Sequence, residues 1–296
     1  MATAFEIVLL GTGSPLPNPE RCGAGQVIIA GDTRVMVDVG WGATRRLFAA
    51  GIPAPMIDVV CYTHLHSDHI SDTADLLIMR WAGGAQKPLE IYGPVGTKAM
   101  MDGFLAAMSA DIGYRFAHHP GKLSKEGIVC NVHEVPATAD RSRIAEIGGL
   151  TIDAFEVDHF PVVPALGFRF ERGGKSLVLS GDTKKCDNLV RAARDADMFV
   201  SEAMNAGMFK IMIQNLRNMG NEHTASVMED VPSYHSTTLE VAEMARDAGV
   251  KHLVLSHLLP TPPSEGPIVD NFTNGMAEIY SGPITVGRDL QRFSIE

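Results

Sequence analysis

Three of the chain's eleven histidines fall within six positions, in the run Thr63, His64, Leu65, His66, Ser67, Asp68 and His69. The run follows Asp58 to Tyr62, an apolar segment with strand character. At the end of a strand alternate side chains share a face, so His64 and His66 point the same way, while Asp68 and His69 follow in what must become a turn. Imidazole nitrogens and a carboxylate oxygen are the ligand types expected for zinc, and they are acceptable to manganese or iron. The alternative, a solvated polar loop with a chance run of histidines, sits poorly behind a buried-looking strand.

Around this cluster the chain reads as strands punctuated by Gly and Pro. Strands are expected at Phe5 to Leu10, Gln26 to Ala30, Arg34 to Val39, Asp58 to Tyr62 and Leu89 to Tyr92. Helices are expected at Gly42 to Ala50, from near Ser71 to before Gly83, and at Gly96 to Ala110. The second half repeats the style, with strands at Val129 to Val135, Leu150 to Val157, Leu166 to Phe170, Leu177 to Ser180, Met198 to Ser201 and His252 to Ser256. Its helices are Lys184 to Ala196, Met204 to Met219, Thr237 to Gly249 and Ile268 to Tyr280. Two strand-rich halves with outer helices imply an α/β fold, an αββα sandwich. With no linker, short repeat or low-complexity stretch, the expectation is one domain over residues 1–296.

Composition narrows the setting. Hydrophobic residues make up 45% and charged residues 20%, and no apolar run is long enough to span a bilayer, so a soluble chain is expected. Met1 to Ala4 lead directly into the first strand without the basic and apolar segments of an export signal, and the expected location is the cytoplasm. Cys22, Cys61, Cys130 and Cys186 are widely spread and form no CxxC pair, so neither a cysteine zinc site nor a disulfide scaffold is indicated. A net charge of −10 disfavours general affinity for a phosphate backbone, although a local basic groove is compatible with it.

The cluster resembles the HxHxDH signature of the metallo-β-lactamase superfamily, and the chain is similar to the ribonuclease Z and arylsulfatase-like branch over nearly its whole length. Gly11-Thr12-Gly13 matches that branch's GTG turn, and Asp38-Val39-Gly40-Trp41-Gly42 its DxGxG segment. His159 precedes Leu166-Gly167-Phe168-Arg169 as the third-motif histidine does, Asp182 stands in Gly181-Asp182-Thr183, and His257 ends a strand. The resemblance implies two divalent ions, one held by His64, His66 and His159, the other by Asp68, His69 and His257, with Asp182 bridging and Asp38 supporting the ligands from behind. Zinc is expected, with manganese or iron as alternatives. Ser201-Glu202-Ala203 stands where ribonuclease Z has HEAT, and His235-Ser236-Thr237 matches its HST segment, which implies that Glu202 and His235 protonate the leaving group. With Asp68 they make up the expected catalytic residues.

Two ions roughly 3.5 to 4 Å apart can share a hydroxide whose pKa is brought near 7, so hydrolysis needs no Ser or Cys nucleophile, and no G-x-S-x-G elbow is present. Only the 22 residues 160–181 separate His159 from Asp182, room for two strands and a turn but not for the tRNA-gripping arm of ribonuclease Z. Together with the acidic charge, this leads to a small-molecule substrate (an ester, lactone, phosphodiester or sulfate ester), with nucleic acid and membrane disfavoured as partners and a homodimer left open. A ribonuclease Z-like nuclease, a β-lactam hydrolase and a metal-free sensor are the alternatives. Arg21 is either an echo of a substrate-loop arginine or a surface residue. The methionine-rich stretch of Met204, Met208, Met212, Met219 and Met228 is either core or the lining of an apolar pocket.

Overall fold

The structure, a computed structural model, describes residues 5–295; Met1 to Ala4 and Glu296 lie outside them. The strands are β1 (Phe5–Gly11), β2 (Gly25–Ala30), β3 (Thr33–Val37), β4 (Val59–Cys61), β5 (Leu89–Gly93), β6 (Cys130–Glu134), β7 (Ser142–Ile147), β8 (Leu150–His159), β9 (Val162–Arg172), β10 (Lys175–Leu179), β11 (Met198–Met204), β12 (Leu253–Leu259), β13 (Ile284–Val286) and β14 (Arg292–Ser294). They form two sheets in the orders β14-β1-β2-β3-β4-β5-β6 and β13-β12-β11-β10-β9-β8-β7. The helices are α1 (Ala43–Ala49), α2 (Ser67–Ile70), α3 (Thr73–Ala82), α4 (Thr97–Ala107), α5 (Ser109–His118), α6 (Asp187–Ala192), α7 (Ala206–Asn218), α8 (Glu222–Asp230), α9 (Thr238–Ala248) and α10 (Pro267–Phe272).

Period-two alternation in strands buried on both faces builds the layers. In β1, Ile7 and Leu9 join Val35, Val37, Phe168 and Phe170 between the sheets, while Val8 and Leu10 face Leu47 and Leu76 of the helices outside the first sheet. The second sheet does the same, with Val178 and Phe199 packed against Leu189 of α6 and Val241 and Met244 of α9. The chain is therefore the expected αββα sandwich, two sheets face to face with helices outside each. No helix among the described residues is long and apolar enough to cross a membrane.

Several elements depart from the sequence reading. The helix expected over Gly96 to Ala110 is two helices, α4 and α5, and α5 runs on to His118. Met204 ends β11 instead of opening a helix. Between the helices expected to end at Met219 and to begin at Thr237 stands α8, started by Asn221, whose side chain accepts a hydrogen bond from Thr224 N at 3.3 Å. The closing helix stops at Phe272 and gives way to a short 3₁₀ turn entered through Gly275 at φ 82°.

Candidate metal centre

The first sheet positions the histidine run. Asp38 follows β3 with φ 57°, a conformation uncommon outside glycine. Its Oδ1 accepts Thr63 N at 2.8 Å, and its Oδ2 accepts both Thr63 Oγ1 and His69 Nδ1 at 2.8 Å. One carboxylate thus holds the beginning and the end of the run, the supporting role expected of it. Gly40 completes the arrangement, because a Cβ there would lie 2.1 Å from the Asp68 carbonyl oxygen.

The second sheet supplies three more side chains. His159 is the last residue of β8, and its Nδ1 donates to Tyr234 O at 2.9 Å. Asp182 follows β10 through Gly181, where φ is 62° and a Cβ would approach the Leu166 carbonyl to 2.7 Å. His257 stands at φ 45° inside β12, where the pairing with β11 slips: Glu202 opposes Ser256 and Ala203 opposes Leu258. The bulge removes His257 from the ladder and turns its ring to the centre.

All seven side chains converge. His64 Nε2 lies 2.9 Å from His66 Nδ1, and His159 Nε2 lies 3.4 Å from the same atom. Asp182 Oδ2 is 3.9 Å from His64 Nε2, 3.4 Å from His69 Nε2 and 3.3 Å from His257 Nε2, which places it between the two sets. His257 Nε2 is also 3.2 Å from Asp68 Oδ2. The groupings His64, His66, His159 and Asp68, His69, His257 each bring their donor atoms within 4.8 Å of one another.

The donor chemistry fits divalent cations. Thr63 Oγ1 gives its proton to Asp38 and so accepts from His64 Nδ1 at 3.0 Å, which leaves a lone pair on His64 Nε2. The His159 bond to Tyr234 leaves one on His159 Nε2 in the same way. His69 Nε2 and Asp182 Oδ1 are buried without a hydrogen-bond partner, which a folded protein rarely tolerates unless something else satisfies them. Burial holds the His64 imidazole well below its ordinary pKa, reinforced by His69. At His69 burial acts in the same direction, but Asp182, Asp38 and Asp68 outweigh it and raise the pKa well above the ordinary value. Carboxylates concentrated in a buried pocket favour cations.

Glu202 and His235 meet beside this cluster. His235 Nδ1 lies 2.9 and 2.8 Å from the two Glu202 oxygens, and Thr183 N donates to Glu202 Oε1 at 2.6 Å. Burial, then the Asp182 charge, push the Glu202 carboxyl well above its ordinary range, while burial pushes His235 down. Ser201, standing at the histidine of HEAT, is buried and donates to the Glu202 carbonyl at 2.9 Å.

Two other sequence readings change. Arg21 is fully buried, its guanidinium donating to Pro262 O at 2.9 Å, Thr12 Oγ1 at 2.7 Å and Gly287 O at 2.6 Å, so it braces loops and neither meets solvent nor faces the centre. The methionines divide: Met204 is core, Met219 is 79% exposed, and Met212 and Met228 line a cavity over the centre. Met228 brings α8 into that wall, a helix that was not expected although its methionine was.

Residues 33–258 match the family model described as the beta-lactamase superfamily domain. A ribonuclease Z of Mycobacterium bovis (strain BCG / Pasteur 1173P2) is 38% identical over 295 residues, covering 98% of each chain. A ribonuclease Z of Mycobacterium marinum is 36% identical over 294 residues, covering 98% of this chain and 99% of that protein. Among solved structures, the short form of human tRNase Z superposes with a TM-score of 0.71 at 22% identity over 98% of this chain and 99% of that one. The metallo-beta-lactamase fold protein YhfI of Bacillus subtilis gives 0.70 at 21%, with the same coverage. The relatives named ribonuclease Z overturn the expectation of a small-molecule substrate with nucleic acid disfavoured. That expectation leaned on the short segment between His159 and Asp182, which leaves no room for an arm, and on a net charge summed over the whole molecule, whereas nucleic-acid binding is decided by local potential.

Proposed function

The chain belongs to the β-lactamase superfamily and, within it, to the ribonuclease Z branch of metal-dependent hydrolases; from that premise we propose that it cleaves phosphodiester bonds in RNA. The observation that carries this reading is the match to ribonuclease Z at 38% identity over 98% of both chains. We assign His64, His66 and His159 to one divalent ion, Asp68, His69 and His257 to a second, and Asp182 to both. Zinc is the best match to a nitrogen-rich donor set, and manganese or iron would use the same ligands. When bound, such ions supply an activated water and a Lewis acid for the phosphoryl oxygens.

The chain's own residues do the rest. Glu202 and His235 share a proton across the 2.8 Å contact, in a pair whose titration belongs to both. With the Glu202 proton turned towards Nδ1, His235 carries its own on Nε2. It can pass that proton to the departing oxygen while Nδ1 takes the one from Glu202. Thr183 N, held 2.6 Å from Glu202 Oε1, fixes the carboxyl so that both its oxygens stay within reach of the ring.

The test is to load the protein with zinc or manganese and incubate it with a tRNA precursor carrying a 3′ extension and with unstructured RNA. Endonucleolytic cuts that vanish on chelation are expected. Hydrolysis of esters or aryl sulfates without cleavage of any RNA would refute the reading.

A further inference from the structure

The cavity over the donor cluster has two unlike walls. His66, Asp68, Asp182 and His235 form its polar floor, and Phe209, Met212, Met228 and Tyr234 belong to an apolar side built by α7, α8 and the turn before His235. Its volume is about 290 Å³, and none of the residues lining it is Lys or Arg. Met212, Met228 and Tyr234 are half-buried, so their apolar faces remain available to a ligand.

A diester whose phosphorus sits at the floor has a nucleotide on either side. The apolar wall cannot receive the next phosphate, because a buried charge with no cation beside it is strongly disfavoured. A ribose fares little better, since its hydroxyls would lose water and find few partners there. A nucleobase suits the wall: it is flat, stacks on aromatic rings regardless of its identity, and makes favourable contacts with thioether sulfur. The space holds one base but not a duplex, so a base must be unpaired to enter it. We propose that this cavity is a nucleobase subsite, in which the unpaired base flanking the scissile phosphate seats against Met212, Met228 and Tyr234. The proposal rests on the RNA reading above.

The test uses the zinc-loaded protein and small probes, so that it does not depend on RNA cleavage. Binding of uridine and adenosine 3′- and 5′-monophosphates is compared with that of base-free ribose 5-phosphate, by calorimetry and by inhibition of bis(4-nitrophenyl) phosphate hydrolysis. The nucleotides should bind about tenfold tighter, within the range expected for stacking one base. In Met212→Gln and Met228→Gln, which keep side-chain length but place an amide in the wall, that ratio should fall towards one while metal content stays at the wild-type level. Equal affinities in the wild-type protein, or no binding of any probe at full metal content, would overturn the subsite. Base-dependent binding without cleavage of any RNA would leave the subsite standing and remove the RNA reading instead.

Discussion

His235 has one ring nitrogen held against Glu202 and its ring at the floor of the cavity, so its removal should separate proton donation from everything else at the centre. In His235→Ala, cleavage of substrates with alkoxide leaving groups, RNA included, should slow by roughly 100-fold or more, the scale of general acid catalysis. Nitrophenyl diesters should be little affected, because a nitrophenolate departs without a proton. Metal content, read by elemental analysis, should be unchanged. Equal slowing of both substrate types at full metal content would show that His235 orients the substrate or supports the fold. The convergence of the metal-type side chains was legible because most of the information is local: His64 to His69 are fixed by one strand end and one turn, and Asp38 lies just after the neighbouring strand. Arg21 was not legible, since its partners Pro262 and Gly287 are more than 200 residues away and carry no signal in its own surroundings.

Most elements with a buried apolar period were readable, whereas β7 and α8 were not. Strands β8 to β12 carry alternating or continuous apolar runs, and their positions follow from them. Strand β7 has no fully buried residue, and α8 buries only Ala225, so neither has a period strong enough to separate it from loop. The starts of β10, β11 and β12 are tied by a single side chain that periodicity does not mark. Asp197 Oδ2 accepts Ser176 N at 2.8 Å, and its Oδ1 accepts Lys251 Nζ at 2.8 Å. Burial alone would raise its pKa, but the bonds to Lys251 and Ser176 outweigh it and hold the carboxyl below its ordinary value. A carboxyl depressed in the folded state stabilises above its unfolded pKa and loses that contribution as pH falls through the folded value. Asp197→Ala should therefore cost about 1 to 3 kcal/mol at pH 7, largely from the unsatisfied Ser176 N–H. The deficit should shrink below about pH 4, near the ordinary carboxylate pKa. Urea unfolding of both proteins across this range checks it, and a deficit independent of pH would assign the loss to packing.

At the scale of the whole molecule, the assigned ligands come from both layers of the sandwich. His64, His66, Asp68 and His69 follow a strand of the first sheet, whereas His159, Asp182 and His257 end, follow or interrupt strands of the second. Behind them the sheets are joined by an apolar core that includes Leu9, Val37, Phe168 and Leu179 and requires no ion. The layered fold was legible because that core imposes its period on every central strand, while net charge, a sum without position, misled about the partner. Ions spanning the two layers would bind the folded chain and not the unfolded one. They would stabilise it by RT ln(1 + [L]/Kd), about 4 kcal/mol at a thousandfold excess over Kd. For a chain of this size each kcal/mol moves Tm by roughly 2 to 4 °C, so stripping the ions with a chelator should lower Tm by on the order of 10 °C. The far-UV circular dichroism below the transition should be unchanged, because the core between the sheets remains. Restoring zinc should restore Tm, and Asp182→Asn, which weakens the one side chain assigned to both ions, should reduce the zinc-dependent part of the shift. A Tm indifferent to chelation, in protein shown by elemental analysis to have carried two ions per chain, would mean that the ions bind the unfolded chain as well as the folded one, and that the ligand assignment across the sheets is wrong.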